Sequence, residues 1–457
     1  MPDLSQRLAR YVADLSFDAL PDDVVFKAKL RVLDALGCAV AAFHSDTGRA
    51  AREVARVLGG NPQAEVVGEG RRTSADLAAF ANGAMIRYLD CNDTYLSKEA
   101  CHPSDNLAAV LAAAQAGGKG GRELLAGLVA SYEILARLAD ASSIRDRGWD
   151  HVTYGAVSAA AGAARVLGLD ERATREAIAL AATPNVALRQ TRVGQLSMWK
   201  GAAFANASRN GVFAAYLARA GMTGPEEVFD GPRGFVRQVS GPLELPAFGG
   251  EGASFRLLDT DIKHFPAEYH SQAAIEAILA VRERMRADGL DAGSVEEIVI
   301  RTFKVAVEII GGEEEKWHPT TRETADHSMP YCVAVALVDG DVTPASFEPG
   351  RIQDPALHAL IQKIRVVEDP AFTAGYPDDI PTQIELTAAG RTYTERVDAP
   401  LGHHHHQMDQ AAVEAKFLSL TRPYLPEERA RAFFRQVERL EELDELGALL
   451  EPLRLQA

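Results

Sequence analysis

The chain has 457 residues, 47% of them hydrophobic and 25% charged, and a formal net charge of -16. That length suits roughly two or three domains with sizeable cores, and the acidity excludes nucleic acid or an anionic membrane as a partner held by bulk charge. Four cysteines, Cys38, Cys91, Cys101 and Cys332, form no C-x-x-C pair, which disfavours an iron–sulfur cluster and points to a reduced cytoplasm.

The opening MPDLSQRLARYVADL has no signal-peptide pattern, and no run approaches the roughly 18 apolar residues of a membrane helix. Residues 1 to about 220 read almost wholly as helix. PDDVVFKAKLRVLDALGCAVAAF has helical apolar spacing from Val25 to Val40, with Asp22 and Asp23 as a cap and dipole match. AEVVGEG, near residue 66, is the exception and suits a short strand. GRELLAGLVASYEILARLAD, VSAAAGAARVLGLD and RATREAIALAATP continue the helical style, ending at Gly, Asp or Pro.

Near residue 262 the texture changes. SVEEIVIRTFKVAVEII reads as strand, as does KIRVVED, and TQIELTAAGRTYTERV predicts a hairpin across Ala388, Ala389 and Gly390. Helices lie between, at SQAAIEAILAVRERMRA and SMPYCVAVALVDG. The predicted fold class is mainly α with an inserted α+β domain. The expected segments are a helical domain over 1–265, an α+β lid over 266–400, and C-terminal helices over 401–457 that complete the first.

Several stretches carry residues suited to chemistry. RYLDCNDTYLSKEACHPSDN breaks two alanine-rich helices. One helical turn would put Asp90 and Asp93 on the same side, and His102 precedes Pro103 at a helix start. There the dipole favours a neutral imidazole, which can act as a base. The alternative is plain capping by Asp93, Thr94, Ser104 and Asp105. In DRGWDHVTYG, His151 is either a base or a packed cap. In VGQLSMWKGAAFANASRNG, Lys200 lies among small apolar residues where a charge is expensive to bury. It is either an anion-binding ammonium, with Arg189, Arg192 and Arg209 nearby, or a snorkelling surface lysine.

DIKHFPAEYHSQAA crowds Lys263, His264, Glu268 and His270 at the proposed domain junction, as a ligand site or a salt network. In KWHPTTRETADHSMPY, Asp326 and His327 are adjacent and would diverge on a helix, which favours capping. The tract His403–His406 admits a metal site. No pattern such as H-E-x-x-H accompanies it, so it reads as unstructured or surface histidine. No P-loop, G-x-S-x-G elbow or dinucleotide glycine motif is present.

In order, KAKLRVLDALGCAVAA, LDCNDTY with HPSDNLAA, WDHVTYG, QLSMWKGAAFANASRNG, KHFPAEYHSQAA and KWHPTTRETADHSMPY resemble the MmgE/PrpD family over nearly the whole chain. The resemblance implies a large helical domain completed by the C-terminus, a smaller α+β lid, an active site between them, and a homodimer. It also implies lyase chemistry without an iron–sulfur cluster: no cofactor and no metal.

By resemblance the acid–base and binding positions fall on Asp90, Thr94, His102, His151, Lys200 and Lys263; Arg87 and Arg192 are further candidates for clamping an anionic substrate, and Glu268 and His270 for contacting it. Glu268 stands where the decarboxylase branch tends to carry histidine, and Asn92 where the family loop often has a carboxylate. The implied activity is dehydration of a small hydroxy tricarboxylate, 2-methylcitrate first. Decarboxylation of cis-aconitate or epimerisation of an amino or imino dicarboxylate is the alternative within the fold. A non-catalytic helical scaffold is the alternative of another class. The expected partners are a small anionic carboxylate and a second copy of the chain, in the cytoplasm.

Overall fold

Helices dominate the first 220 residues, as alanine-rich periodicity predicts. In the computed structural model, which describes residues 3–455, they are α1 (Leu4–Asp14), α2 (Asp22–Ala41), α3 (Asp46–Leu58), α4 (Ala75–Tyr88), α5 (Leu107–Ala116), α6 (Gly121–Ala141), α7 (Val152–Leu167), α8 (Glu171–Ala182) and α9 (Trp199–Arg219). AEVV supplies β1 (Ala64–Glu65), paired antiparallel with β2 (Arg72–Thr73). Pro21, and not Asp22 or Asp23, holds the cap position of α2, while both aspartates stand in its first turn, as the dipole match expects.

Small residues fix how the central helices cross. A Cβ on Gly155 of α7 would lie 2.5 Å from the Phe204 ring of α9, and one on Gly211 of α9 would lie 2.6 Å from the Ala159 Cβ of α7. Overlaps of that size force backbone shifts, so both positions need glycine. These contacts rise together along the two helices, so α7 and α9 run parallel and their N-termini share one end. Gly83 of α4 meets Ala205, and Tyr88 meets Gly201, so α4 runs the other way. Its C-terminus with Arg87 therefore comes to the end where α9 starts with Lys200. The fold thus gathers charged helix ends into one place.

The chain divides into two compact units. One holds the residues up to Arg192, Met198–Asp261 and those from Asp409 on. The other holds Ile262–Met408 with Val193–Ser197. In the first unit the helix Gln410–Thr421 packs on α2, where a Cβ on Gly37 would strike the Phe417 ring. Lys416 of that helix donates to Asp34 of α2 at 2.5 Å and to the Cys91 carbonyl at 2.6 Å. Among the described residues no helix is long and apolar enough to cross a membrane.

The second unit contains α10 (Gln272–Ala287), β3 (Val295–Thr302), the helix Met329–Asp339, β4 (Ile364–Glu368), β5 (Thr382–Ala388) and β6 (Arg391–Val397). The sheet order is β4-β3-β5-β6. β3 and β4 are parallel and the other pairs antiparallel. β5 and β6 turn through Ala389 (φ 47°) and Gly390 (φ 72°), the left-handed pair that a tight hairpin needs. Val193–Ser197 joins this unit through Leu196, whose N–H reaches Thr324 and whose carbonyl accepts from Thr321.

Two expectations are corrected here. The strand read through SVEEIVIRTFKVAVEII stops at Thr302, and Lys304–Gly311 is helical. Its buried residues are Ala306, Ile310 and Gly311, four and five apart from the first, so the segment buries a helical face and not alternate residues. The histidine tract is not unstructured, although His405 and His406 are exposed surface residues. His403 is fully buried in a double turn closed by Gly402 N–H to His406 O (2.8 Å) and His406 N–H to His403 O (2.7 Å).

Candidate active site

The loop after α4 begins with Asp90 at φ 52°. That left-handed conformation is uncommon outside glycine and costs an aspartate on the order of 1 kcal/mol or more. Two buried cations hold it there: Arg87 Nη1 lies 2.7 Å from Asp90 Oδ1, and Lys200 Nζ lies 2.8 Å from Oδ2. All three side chains are at most 2% exposed, and a buried charge survives only when paired in this way. Lys200 is therefore no snorkelling surface residue. Arg209, farther along α9, is exposed and joins no patch with it.

Asp93 does not share a face with Asp90, because the chain between them is not helical. Asp93 instead accepts from Tyr132 Oη at 2.6 Å and from the Ser104 N–H at 2.9 Å. Capping by Ser104 and Asp105 is likewise not found, since it is Asp93 that takes the Ser104 N–H. Thr94 pairs its backbone with Asp261 and donates its hydroxyl to the Cys101 carbonyl at 3.2 Å.

His102 Nε2 lies 2.9 Å from Arg87 Nη2, and its Nδ1 lies 2.8 Å from the Asp93 carbonyl. Arginine has only donors. Nε2 therefore accepts, Nδ1–H donates, and the ring is neutral with its lone pair taken by Arg87. His151 packs edge-on against it, ring centroids 5.5 Å apart. His151 stands at the start of α7, with Asp150 Oδ1 3.2 Å from its Nδ1. Its Nε2 is buried and has no hydrogen-bond partner among the described residues.

Burial pushes His151 down to about 3, against the pull of Asp150 and helped by Arg192, Arg87 and Arg189. A ring that stays neutral, oriented by a carboxylate and bearing an unused lone pair, is equipped to take a proton. Arg192 completes the group. Its Nε donates to Asp150 Oδ2 at 2.9 Å and its Nη1 to the Lys200 carbonyl at 3.1 Å, while its Nη2 is buried without a partner among the described residues.

The fold adds residues that the sequence reading did not select. Asp150 is one, although the Asp–His dipeptide in WDHVTYG was a visible signal. Asp105 is another. Its Oδ1 accepts from Asn92 at 2.8 Å, and its Oδ2 is 3.7 Å from Arg87 Nε. Burial pushes its carboxyl up to about 7, with Arg87 opposing and Asp93 adding to the rise.

These two shifts have opposite consequences for stability. Unfolded, Asp105 titrates near about 4 and His151 near about 6.5. The Asp105 contribution is full below about pH 4 and is lost as pH rises to about 7, because the folded chain keeps the extra proton. The His151 contribution is present above about pH 6.5 and is lost as pH falls toward about 3. Asp105→Asn should remove the first dependence alone. Urea unfolding at roughly pH 5 and pH 8 should show the variant gaining on the wild type at the higher pH; an equal difference at both contradicts it.

The second unit also carries a polar cluster. Glu268 accepts the His270 N–H at 2.8 Å and lies 2.7 Å from His270 Nδ1. Burial pushes Glu268 up, but His270, His327 and Lys263 outweigh it and hold the carboxyl down at about 2. Both Glu268 oxygens are thus engaged in orienting His270, whose ring packs against Phe303 and Tyr376. Lys263 is buried. Asp326 and His327 do not diverge: Asp326 Oδ1 is 2.7 Å from His327 Nδ1. The short helix Arg322–Ala325 has ended there, and Ser328 caps the next one by accepting the Tyr331 N–H.

Comparison with known proteins shows the family to which the chain is related. Residues 6–246 match the MmgE/PrpD N-terminal domain, and residues 265–442 match the MmgE/PrpD C-terminal domain. The chain is similar to 2-methylcitrate dehydratase of Escherichia coli K12, 34% identical over 353 residues, covering 73% of this chain and 72% of that protein. It is similar to the Salmonella typhimurium 2-methylcitrate dehydratase, 33% identical over 406 residues, covering 83% and 82%. It is also similar to human cis-aconitate decarboxylase, 27% identical over 467 residues, covering 98% and 93%.

Proposed function

We propose a function on one premise: the chain belongs to the MmgE/PrpD family. The reading is a lyase that dehydrates a small hydroxy tricarboxylate, with 2-methylcitrate as the first substrate to test, in the cytoplasm and as a homodimer. The observation that carries it is His151, a buried neutral imidazole whose Nε2 has no partner among the described residues and whose Nδ1 faces Asp150.

In this reading His151 Nε2 takes the proton from the carbon beside a substrate carboxylate. The electron pair forms the new double bond, and hydroxide leaves the neighbouring carbon. Asp105, half protonated near neutrality, supplies the proton that turns hydroxide into water. Proton removal builds negative charge, so donors aimed at the carboxylate lower the barrier. Arg192, with its buried Nη2, is the main anion donor. Arg87 and Lys200 already share Asp90, so their part is to fix that carboxylate and keep the site cationic. Thr94, Glu268 and His270 keep a proposed substrate-binding role, and Lys263→Ala tests its own as a rise in KM.

The assay is turnover of 2-methylcitrate, citrate and related acids by untagged protein, with and without chelator. Loss of water from one of them supports the reading. No dehydration of any of them, with metal removed or added, sinks it. The human relative's name keeps decarboxylation as the second reading, and carbon dioxide release from cis-aconitate, followed in parallel, distinguishes the two.

A further inference from the structure

The histidine tract lies outside the residues given chemical roles above. In an extended strand, neighbouring side chains point to opposite faces, so three successive histidines cannot converge. The double turn over 400–406 changes this. One ring nitrogen from each of His403, His404 and His405 lies within 4.8 Å of the other two. The His403 and His404 rings stack with centroids 4.1 Å apart, and His405 lies tilted against His404 at 4.2 Å and 58°.

The turn is built, not loose. Besides the two bonds above, the His403 N–H donates to Pro400 O at 3.0 Å and the His405 N–H to His403 Nδ1 at 3.1 Å, Gly402 O accepts the Ile262 N–H at 2.9 Å, and the Leu401 N–H donates to Glu276 at 2.9 Å. Gly402 stands at φ 97°, where a Cβ would lie 1.8 Å from Ile262 O, so only glycine lets the turn seat there. Asp379 Oδ1 is 3.4 Å from His405 Nδ1. A carboxylate at that nitrogen holds the proton on Nδ1 and leaves Nε2 as a ligand, the usual outer partner of a metal-bound histidine.

We propose that His403, His404 and His405 form a binding site for one borderline divalent transition ion (zinc, nickel, cobalt or copper), with Asp379 as the outer partner of His405. Imidazole donors suit these ions and not magnesium or calcium. A tetrahedral zinc site brings its nitrogens to about 2.0–2.1 Å from the metal, so binding must rotate the rings inward and displace either the His405 N–H from His403 Nδ1 or the proton from its Nε2. The site is independent of the dehydration chemistry, and its test does not read activity.

The test uses untagged, chelator-stripped full-length protein titrated with Co2+, read by calorimetry and by the visible absorption of the bound ion. The expected result is one saturable Co2+ per chain, displaced by Zn2+. His404→Gln with His405→Gln should abolish it, and Asp379→Asn should weaken it roughly tenfold. His405 is exposed, so His405→Gln alone decides the matter if the double variant unfolds. No saturable binding, or binding undiminished in the folded His405→Gln protein, overturns the proposal.

Discussion

His151→Gln is expected to lower kcat by about 10²–10⁴-fold, the range lost when a positioned general base is removed. KM should change little, because the imidazole meets the substrate proton and not its carboxylates. The argument rests on the contrast between two neighbouring histidines. His102 is neutral, but its Nε2 is engaged by Arg87 at 2.9 Å; His151 Nε2 is engaged by nothing described. His102→Gln should therefore act through Arg87, raising KM as well as lowering kcat. Asp150→Asn should fall between, since it leaves the ring in place but weakens its orientation. Steady-state kinetics of the three variants, with thermal melting as a folding control, check the ordering. A kcat within about 5-fold of wild type for His151→Gln, with a large loss for His102→Gln, would transfer the base role to His102.

Lys416→Met should destabilise the helical unit by about 3–5 kcal/mol, the usual result of breaking a buried pair from one side. Lys416 and Asp34 are each 2% exposed and 2.5 Å apart. Burial works against the lysine's charge, but Asp34 outweighs it and holds Lys416 above its usual range. Without the lysine, Asp34 is a buried carboxylate beside Asp93. The second bond of the ammonium, to Cys91 O at 2.6 Å, restrains the peptide next to Asp90. Lys416→Met should therefore also lower kcat, although Lys416 touches no proposed reacting group. Asp34→Leu combined with Lys416→Met should recover much of the stability, because an apolar pair replaces the ionic one, but not the activity, because Cys91 O stays unrestrained. Urea unfolding of the single and double variants measures the first effect and turnover the second. A double variant as unstable as the single one contradicts the pair as the cause.

Sequence reading reached the helical frame because alanine-rich periodicity and Gly or Pro punctuation are local signals. It also singled out Asp90, His102, His151 and Lys200, which stand out as polar residues among small apolar ones; the fold buries Asp90, His151 and Lys200 and leaves His102 half-buried. It did not reach Asp105, whose carboxyl looks like an ordinary helix-start aspartate. What sets it apart is burial against Asn92 and Arg87, a tertiary fact. The same holds for Asp93, which looked like a partner of Asp90 because spacing alone cannot show that the chain turns at Asp90 itself, with φ 52°. The two Asp–His dipeptides show the limit most plainly. At 150–151 and 326–327 adjacent residues pair through Nδ1, at 3.2 Å and 2.7 Å. Each does so at the border of a helix, where backbone angles let neighbours meet. The stretch Val295–Gly311 was harder still: β-branched residues there serve a strand first and a helical turn after Thr302, and only burial tells the two apart.

The most direct test is proton NMR of 2-methylcitrate incubated with the untagged wild-type protein and with His151→Gln. Loss of the proton on the methyl-bearing carbon, together with the neighbouring hydroxyl, must turn the methyl doublet into a singlet on a double bond. The account predicts that conversion with the wild type, at least about 100-fold slower with His151→Gln, and no loss of carbon dioxide. An unchanged doublet with folded wild-type protein, or equal conversion by both proteins, would contradict it.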